Sequence, residues 1–275
     1  MSEASVGELV DAQPRPLLAA WTLCQRELVR FFRQKNRVFG AIGQPIIFWL
    51  LFGAGLGPSF RLPGVAAETS YRAYFFPGTL VLILLFTAIF ATISIIEDRR
   101  EGFLQSVLVA PIPRWSMVLG KVLGGTLIAM VQGILFLLLG LTLDLSFSPV
   151  QVAAIVALMF VIAIALTALG FVIAWRMEST QGFHAIMSVF LLPMWLLSGA
   201  FFPAGDNWLG WIITANPLTY GVAALRRLIY WHDPAALPLD LPALPLCLAV
   251  TGVFALGTLG LAVAISKQRT TGDLL

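Results

Sequence analysis

Six apolar runs, at 38–57, 74–96, 117–143, 150–175, 183–202 and 244–266, dominate the chain. Crossing the roughly 30 Å hydrocarbon layer of a bilayer takes about 20 helical residues at about 1.5 Å each, and every run is close to that or longer. No water reaches the bilayer core, so a crossing segment must satisfy its own backbone, and runs of this kind do so as helices. The rest of the chain is too poor in polar groups to coat a water-soluble fold: 59% of its residues are hydrophobic and 11% charged, with a mean hydropathy of +0.91. The expected fold is an all-α integral membrane protein whose transmembrane domain, 38–266, has six helices.

Six crossings put both termini on one side, and an excess of Lys and Arg marks that side as cytoplasmic. With the N-terminus inside, thirteen of the 17 Lys and Arg fall in the cytoplasm and only Arg61, Arg72, Arg226 and Arg227 fall outside. The net charge of +3 thus follows from topology and anionic lipid, with no nucleic acid needed to explain it. Residues 1–16 place Glu3, Glu8 and Asp11 ahead of any apolar stretch, the reverse of a cleaved signal, and read as a flexible cytoplasmic tail; 267–275 reads as a second. Cys24 falls in the cytoplasmic region and Cys247 in the last span, which argues against a disulfide, and two cysteines make no metal framework.

From 17 to 37 two stripes run at helical spacing. Leu17, Trp21, Cys24, Leu28, Phe31 and Phe32 share one face, and Arg26, Arg30, Arg33 and Arg37 step along another. The pattern predicts an amphipathic elbow helix in the cytoplasmic interface, with its apolar face in the acyl boundary and its arginines among phosphates. Trp21, Leu28, Arg26, Arg30 and Arg33 are its candidate contact residues, whether for lipid or for a cytoplasmic partner.

Between the second and third spans, 97–116 concentrates charge and proline. Phe103, Leu104, Val107 and Leu108 recur as the apolar ridge of a short helix. Pro111 and Pro113 stop it, because proline lacks a donor and disfavours helix in the residue before it, so Ala110 is expected to end the helix and a stiff strut to lead into Arg114. The expected product is a rigid lever with charge at both ends, or else an interfacial loop whose charges only enforce topology.

On the opposite side, 203–231 is too polar and punctuated to span, yet it holds Trp208, Trp211, Tyr220, Tyr230 and Trp231, the residues of a headgroup-level aromatic belt. Asp206 or Asn207 is suited to cap a first short helix, and Asn216 a second that opens on Pro217. A helix of about 13 Å is too short to cross, so a re-entrant helical hairpin is expected, either gating or anchoring.

Few polar residues interrupt the spans. Gln44, Gln132 and Ser198 are candidates for a substrate path, although helix-to-helix hydrogen bonding serves such residues equally well. Pro45, next to Gln44, is placed to kink the first span, and Gly120, Gly124 and Gly125 suit close helix packing. No span carries a charge near its centre, which disfavours an ion-coupled secondary transporter. Ser198 lacks a glycine two residues before it, which disfavours a serine hydrolase. Gly120-Lys121 is followed by Val122 and has Trp115 where a phosphate-binding loop needs glycine, so the chain offers no ATP site of its own. A non-transporting membrane scaffold remains the other class.

Three ordered blocks carry a family resemblance: YRAYFFPGTLVLILLF at 71–86, IIEDRREGFLQSVLVAPIPRWSMVLGK at 95–121 and LLSGAFFPAGDNWLGWIITANPLTYGVAALR at 196–226. Together they resemble the permease subunits of type-2 ABC exporters, the branch that contains drug-resistance and nodulation-factor export permeases. The family pattern of acidic residue, Arg, Glu, Gly, short amphipathic helix, Pro and Arg is matched by Arg100, Glu101, Gly102, 103–110, Pro111 and Arg114, with Glu97 and Asp98 just ahead. Phe103-Leu104-Gln105 stands where one common variant has Thr-Leu-Glu. The resemblance implies a bacterial plasma-membrane permease that pairs with itself and docks two cytoplasmic ATPase subunits, which would hold the ATP and Mg. It makes Glu97, Arg100, Glu101, Gly102, Phe103, Leu104, Leu108, Pro111 and Arg114 the coupling surface, and Pro203, Trp208, Asn216, Pro217 and Tyr220 an outer gate. An amphipathic or lipid-like cargo moving outward is the expected substrate.

Overall fold

The computed structural model describes residues 15–56, 70–143, 147–201, 208–232, 237 and 241–268, and helix is the only regular structure among them. Six of its helical segments are long and apolar enough to cross a membrane.

Helix α1, Pro16–Arg33, opens on a proline whose fixed φ suits a first helical turn. It stops at Gln34, which leaves helical geometry at φ −95° and ψ 76°, and α2, Lys35–Leu56, begins the first span. The elbow is therefore shorter than 17–37, and Arg37 belongs to the span. The four-three-four spacing of the arginines continues across Gln34, so periodicity alone does not register the break. The apolar face of α1 also divides in two. Ala20, Leu23, Cys24, Glu27 and Phe31 are buried against the protein, whereas Leu17, Leu18, Trp21, Val29 and Phe32 are exposed.

Helix α3, Tyr71–Arg100, is the axis of the molecule. Ser70 caps it by accepting from the Ala73 amide. Its 30 residues make a rod about 45 Å long at 1.5 Å rise. It outlasts the expected 74–96 because the charged turn Glu97–Arg100 stays helical, with Arg99 and Arg100 favourably placed at the negative end of the helix dipole. It is apolar all round, as befits a helix surrounded by others: 89% of its most apolar stretch is buried, against 17% for α2 and 28% for the last span.

A left-handed Gly102, φ 77°, turns the chain into the short helix α4, Phe103–Val109. Ala110 is extended at φ −64° and ψ 146°, as a residue before proline should be. Pro111–Pro113 then lead into α5, Arg114–Leu137, which tightens into 3₁₀ turns over Leu138–Leu143. Helix α6, Pro149–Trp175, starts with a capping box between Ser148 and Gln151.

The fifth span, Thr180–Ala200, is not a uniform α-helix. It runs through α7, Thr180–Ile186, a π-helical turn at Met187–Leu191, α8, Leu192–Trp195, and a second π-helical turn at Leu196–Ala200 that contains Gly199 at φ 71°. Two short helices follow, α9 at Trp208–Ala215 and α10 at Pro217–Ile229, and α11, Leu244–Ser266, is the last span.

Packing relies on small residues where backbones approach. A Cβ on Gly120 would stand 2.6 Å from the Ala20 carbonyl oxygen, and one on Gly124 would stand 2.7 Å from Glu27 Cβ. Both glycines thus seat α1 on α5, while Gly125 faces Thr167 of α6. The elbow helix lies against the bundle rather than resting only in an interface.

Candidate functional site

At the end of the bundle where α3 meets α4, eight charged side chains lock four helices together. Asp98 is fully buried. Arg26 of α1 grips it with both terminal nitrogens, Nη2 to Oδ1 at 2.7 Å and Nη1 to Oδ2 at 3.0 Å, and Arg30 and Lys121 also donate to it. Lys121 Nζ donates to Glu27 Oε1 at 2.6 Å as well. Arg30 Nη2 reaches Glu97 at 2.8 Å and Glu101 at 3.1 Å, and Arg37 of α2 completes the set on Glu97. Four cations, Arg26, Arg30, Arg37 and Lys121, meet four carboxylates, Glu27, Glu97, Asp98 and Glu101. A buried carboxylate at this depth persists only with such partners, because desolvation of an unpaired charge costs several kcal/mol. Burial lowers the basicity of Arg26, but Asp98 and the neighbouring carboxylates outweigh it and raise the guanidinium above its ordinary value.

The next two arginines reach the other way. Arg99 donates to the Trp175 carbonyl at 2.5 Å and the Met177 carbonyl at 3.1 Å, and Arg100 to the Glu178 carbonyl at 3.1 Å. They close the end of α6, where carbonyls lack helical partners. The four residues Glu97–Arg100 therefore bind α3 to α1, α2, α5 and α6 at once.

Helix α4 is bolted to this junction. The Arg26 guanidinium lies 3.6 Å from the centroid of the Phe103 ring, a cation–π contact. Gln105 donates to the Arg99 carbonyl at 3.2 Å. Leu104 is only 2% exposed, and Phe103, Val107 and Leu108 pack on the core. The ridge that the sequence assigns to a partner groove thus faces its own chain. The free surface of α4 is made by Glu101, Gly102, Ser106, Val109 and Pro111, with Val109 84% exposed. Arg114 opens α5 beyond the proline strut, and its Nη1 is buried with no hydrogen-bond partner among the described residues.

At the opposite end, α10 holds the unwound part of the fifth span. Asn216 Oδ1 accepts from the Leu218 amide at 3.0 Å and caps α10. Its Nδ2 donates to the carbonyls of Met194 at 2.6 Å and Leu197 at 2.9 Å. Arg226, 3% exposed, donates to the carbonyls of Gly199 at 3.2 Å and Tyr74 at 3.3 Å, with its guanidinium 4.2 Å from the Tyr74 ring centroid. Trp195 Nε1 donates to the Gly78 carbonyl at 2.8 Å. A Cβ on Gly78 would lie 2.7 Å from Ala200 Cβ, so the fifth span and α3 meet backbone to backbone. Pro217 is the first residue of α10, Tyr220 Oη donates to the Thr214 carbonyl at 3.0 Å, and Trp208 is exposed. Pro203, Asp206 and Asn207 lie outside the described residues.

The three substrate-path candidates do not converge. Gln44 is exposed on α2, Gln132 Oε1 accepts from Thr87 at 2.9 Å between α5 and α3, and Ser198 donates to the Trp195 carbonyl at 2.6 Å. A cleft between α3 and the fifth span, lined by residues that include Phe86, Phe90, His184 and Met187, contains none of them. Cys24 and Cys247 are both free and buried. Among the described residues, no group of three or more His, Cys, Asp or Glu is arranged to hold a metal.

Sequence reasoning misses Glu27, Asp98, Lys121, Arg226 and Trp195 as a working set. Glu27 carries a signal: it sits on the apolar side of α1, between Cys24 and Phe31, where a charge requires a partner. In the sequence Lys121 figures in a failed nucleotide motif and, like Arg226, in the topology count and at the end of a family block, without a structural role.

Six helices fit to cross a membrane, a charge-locked helical junction at one end and an aromatic-rich helical pair at the other define a multi-pass helical membrane protein. The chain belongs to the ABC-2 type transporter family, whose model matches residues 19–230 and so takes in both ends of the bundle while leaving out α11. It is 28% identical over 219 residues, 78% of this chain and 74% of the relative, to a protein of Cyanophora paradoxa that carries the name of a transport permease, ycf38. It is 25% identical over 234 residues, 82% of this chain and 80% of the relative, to the daunorubicin resistance ABC transporter permease protein DrrB1 of Streptomyces coeruleorubidus.

Proposed function

We propose that this chain is the transmembrane permease subunit of an ATP-driven exporter, acting as a homodimer with two separate cytoplasmic ATPase subunits. Those subunits bind ATP and Mg²⁺ and supply the hydrolysis; this chain supplies the pathway. Its membrane is the bacterial plasma membrane, with both termini in the cytoplasm, so that the charge-locked junction lies inside and 203–231 forms a re-entrant outer gate. The cargo is an amphipathic or lipid-like molecule, such as a drug, a glycolipid or a polymer carrier, moved outward through a largely apolar interior. Support for this comes from membership of a transporter family and from two relatives whose names describe permeases.

The observation that carries the mechanism is the attachment of α4. Its outward face, Glu101, Gly102, Ser106, Val109 and Pro111, is the surface offered to an ATPase, while its inward face is fixed to α1 through Arg26 and Phe103 and to α3 through the buried Asp98 cluster. A push on α4 therefore moves α1, α3 and α5 as one body. Helix α3 carries that motion the length of the bundle to Tyr74 and Gly78, where it meets the fifth span and α10. The sparsely covered α2 is the surface best suited to a second copy or to lipid.

The test is reconstitution of the chain with its ATPase in liposomes. ATP-dependent movement of substrate, with ATPase activity stimulated by this subunit, is the expected result. An ATPase indifferent to the subunit, or movement driven by an ion gradient without ATP, would overturn the proposal.

A further inference from the structure

We infer that the groove beside α1 is a binding site for the headgroup of an anionic phospholipid of the cytoplasmic leaflet. The assignment rests on the cytoplasmic placement of α1 proposed above.

The surface of α1 has three sectors. Its buried sector faces α5. Next to it, Leu17, Leu18, Trp21, Val29 and Phe32 are exposed along one side of the helix, which suits contact with acyl chains. Beyond these comes a basic sector, and the groove opens along the border between the two. Thr22, Gln25, Arg26, Val29, Arg30, Arg33, Gln34 and Glu101 line it, three guanidiniums against one carboxylate.

The carboxylate is already neutralised, because Arg30 holds Glu101 at 3.1 Å. Arg33 is exposed and makes no ion pair among the described residues. Arg26 and Arg30 turn one side to Asp98 yet keep 30% and 18% of their side-chain surface exposed. With Arg26 and Arg30 balanced by carboxylates of the cluster, the groove's net positive charge comes from Arg33, and beside it stand the amide donors of Gln25 and Gln34, matching a phosphodiester that accepts several hydrogen bonds. Val29 lines the same groove and is 52% exposed. An apolar wall beside the guanidiniums fits a glycerolipid, whose chains continue from its phosphate, better than an acidic soluble protein. Fixing a phosphate at this groove would set the depth of the elbow, and of the junction joined to it, at the membrane surface.

Native mass spectrometry of the full-length chain, released from micelles doped with dioleoylphosphatidylglycerol or dioleoylphosphatidylcholine, tests the site. The wild type is expected to retain the phosphatidylglycerol in preference. Arg33→Gln is expected to weaken that retention about fivefold, the equivalent of about 1 kcal/mol for one basic side chain at an anionic surface. Lys267→Gln, which removes a basic residue from outside the groove, is expected to leave it unchanged. Equal losses in both variants would show only diffuse attraction and overturn the site, as would equal retention of the two lipids or displacement of the lipid by inorganic phosphate. Retention does not require transport, so failure here leaves the exporter proposal standing, and failure of ATP-driven export leaves the groove standing.

Discussion

Arg26 and Asp98 face each other as two parallel forks, 72 residues apart in sequence, with both guanidinium nitrogens on both carboxylate oxygens. The pair joins a helix that lies along the bundle to the end of the helix at its centre. Fork-to-fork geometry is directional as well as strong, so α1 is held in one orientation on α3.

Replacing Asp98 with Asn should strand Lys121, Arg26 and Arg30 around a neutral group. Removing one partner of a buried ionic cluster costs about 3–5 kcal/mol. The D98N protein is expected to melt well below wild type in detergent, and D98N/K121M to recover part of the loss. A D98N melting curve that overlays the wild type would show that the cluster does not hold the junction.

The two faces of α4 should separate stability from coupling. Leu104→Asp puts a charge into a packed site and is expected to lower the melting temperature. Val109→Asp, on the free face, is expected to leave melting unchanged while reducing ATP-dependent transport by the reconstituted complex. Full transport by V109D would remove the free face of α4 from the ATPase contact.

Gly102 is a second handle on the same lever. Its φ of 77° costs a residue with a Cβ about 1–2 kcal/mol, and nothing stands within 4 Å of where that Cβ would sit. Gly102→Val should therefore act through backbone strain alone, uncoupling hydrolysis from transport while the protein still inserts. Unchanged coupling in G102V would show that the turn does not need this conformation.

Asn216 performs two tasks that chemistry can divide. Asn216→Asp keeps an acceptor for the Leu218 amide but loses both donors to Met194 and Leu197, whereas Asn216→Ala loses everything. Loss of a cap costs about 1 kcal/mol and each carbonyl left bare in a buried site about 1–3 kcal/mol. Asp also sets a carboxylate oxygen against the Met194 and Leu197 carbonyl oxygens in a buried site, so the expected order of melting is wild type, N216A, N216D; an N216D melting curve that overlays the wild type would show that the two donors hold nothing.

Cys24 reports on the seating of α1. Burial, with help from the Glu27 charge, raises its thiol above the ordinary value. A raised value means less thiolate at neutral pH, so alkylation should be slow there and should climb with pH until the thiol ionises. In a C247S background, maleimide is expected to label wild-type Cys24 poorly at neutral pH and Gly120→Leu readily, since Gly120 sits under Ala20. Fast labelling of the unaltered Cys24 would contradict its burial.

Much of this is legible in the sequence, for reasons that also explain what is not. The last span agrees at both ends because 244–266 is uniformly apolar, with Pro245 in its first turn and Lys267 just beyond. The second span reads short because EDRR resembles loop until the partners of each charge are known, and those partners lie in other helices. Helix α4 is legible as a ridge stopped by proline. Periodicity identifies an apolar face but not what covers it, so the sequence turns Leu104 and Phe103 toward a partner when they pack on their own chain. The second π turn of the fifth span leaves no mark, because the Leu197 and Gly199 carbonyls within it are met by Asn216 and Arg226, well removed in sequence.

The balance of the locked cluster has an electrical consequence. Moving one elementary charge across a membrane does work of about 2.3 kcal/mol per 100 mV. The four cations and four carboxylates of the junction sum to zero. These eight charges, travelling together, therefore add no net work against the membrane voltage, and any voltage dependence of the junction comes from charges outside the eight, Arg33, Arg99 and Arg100 beside them.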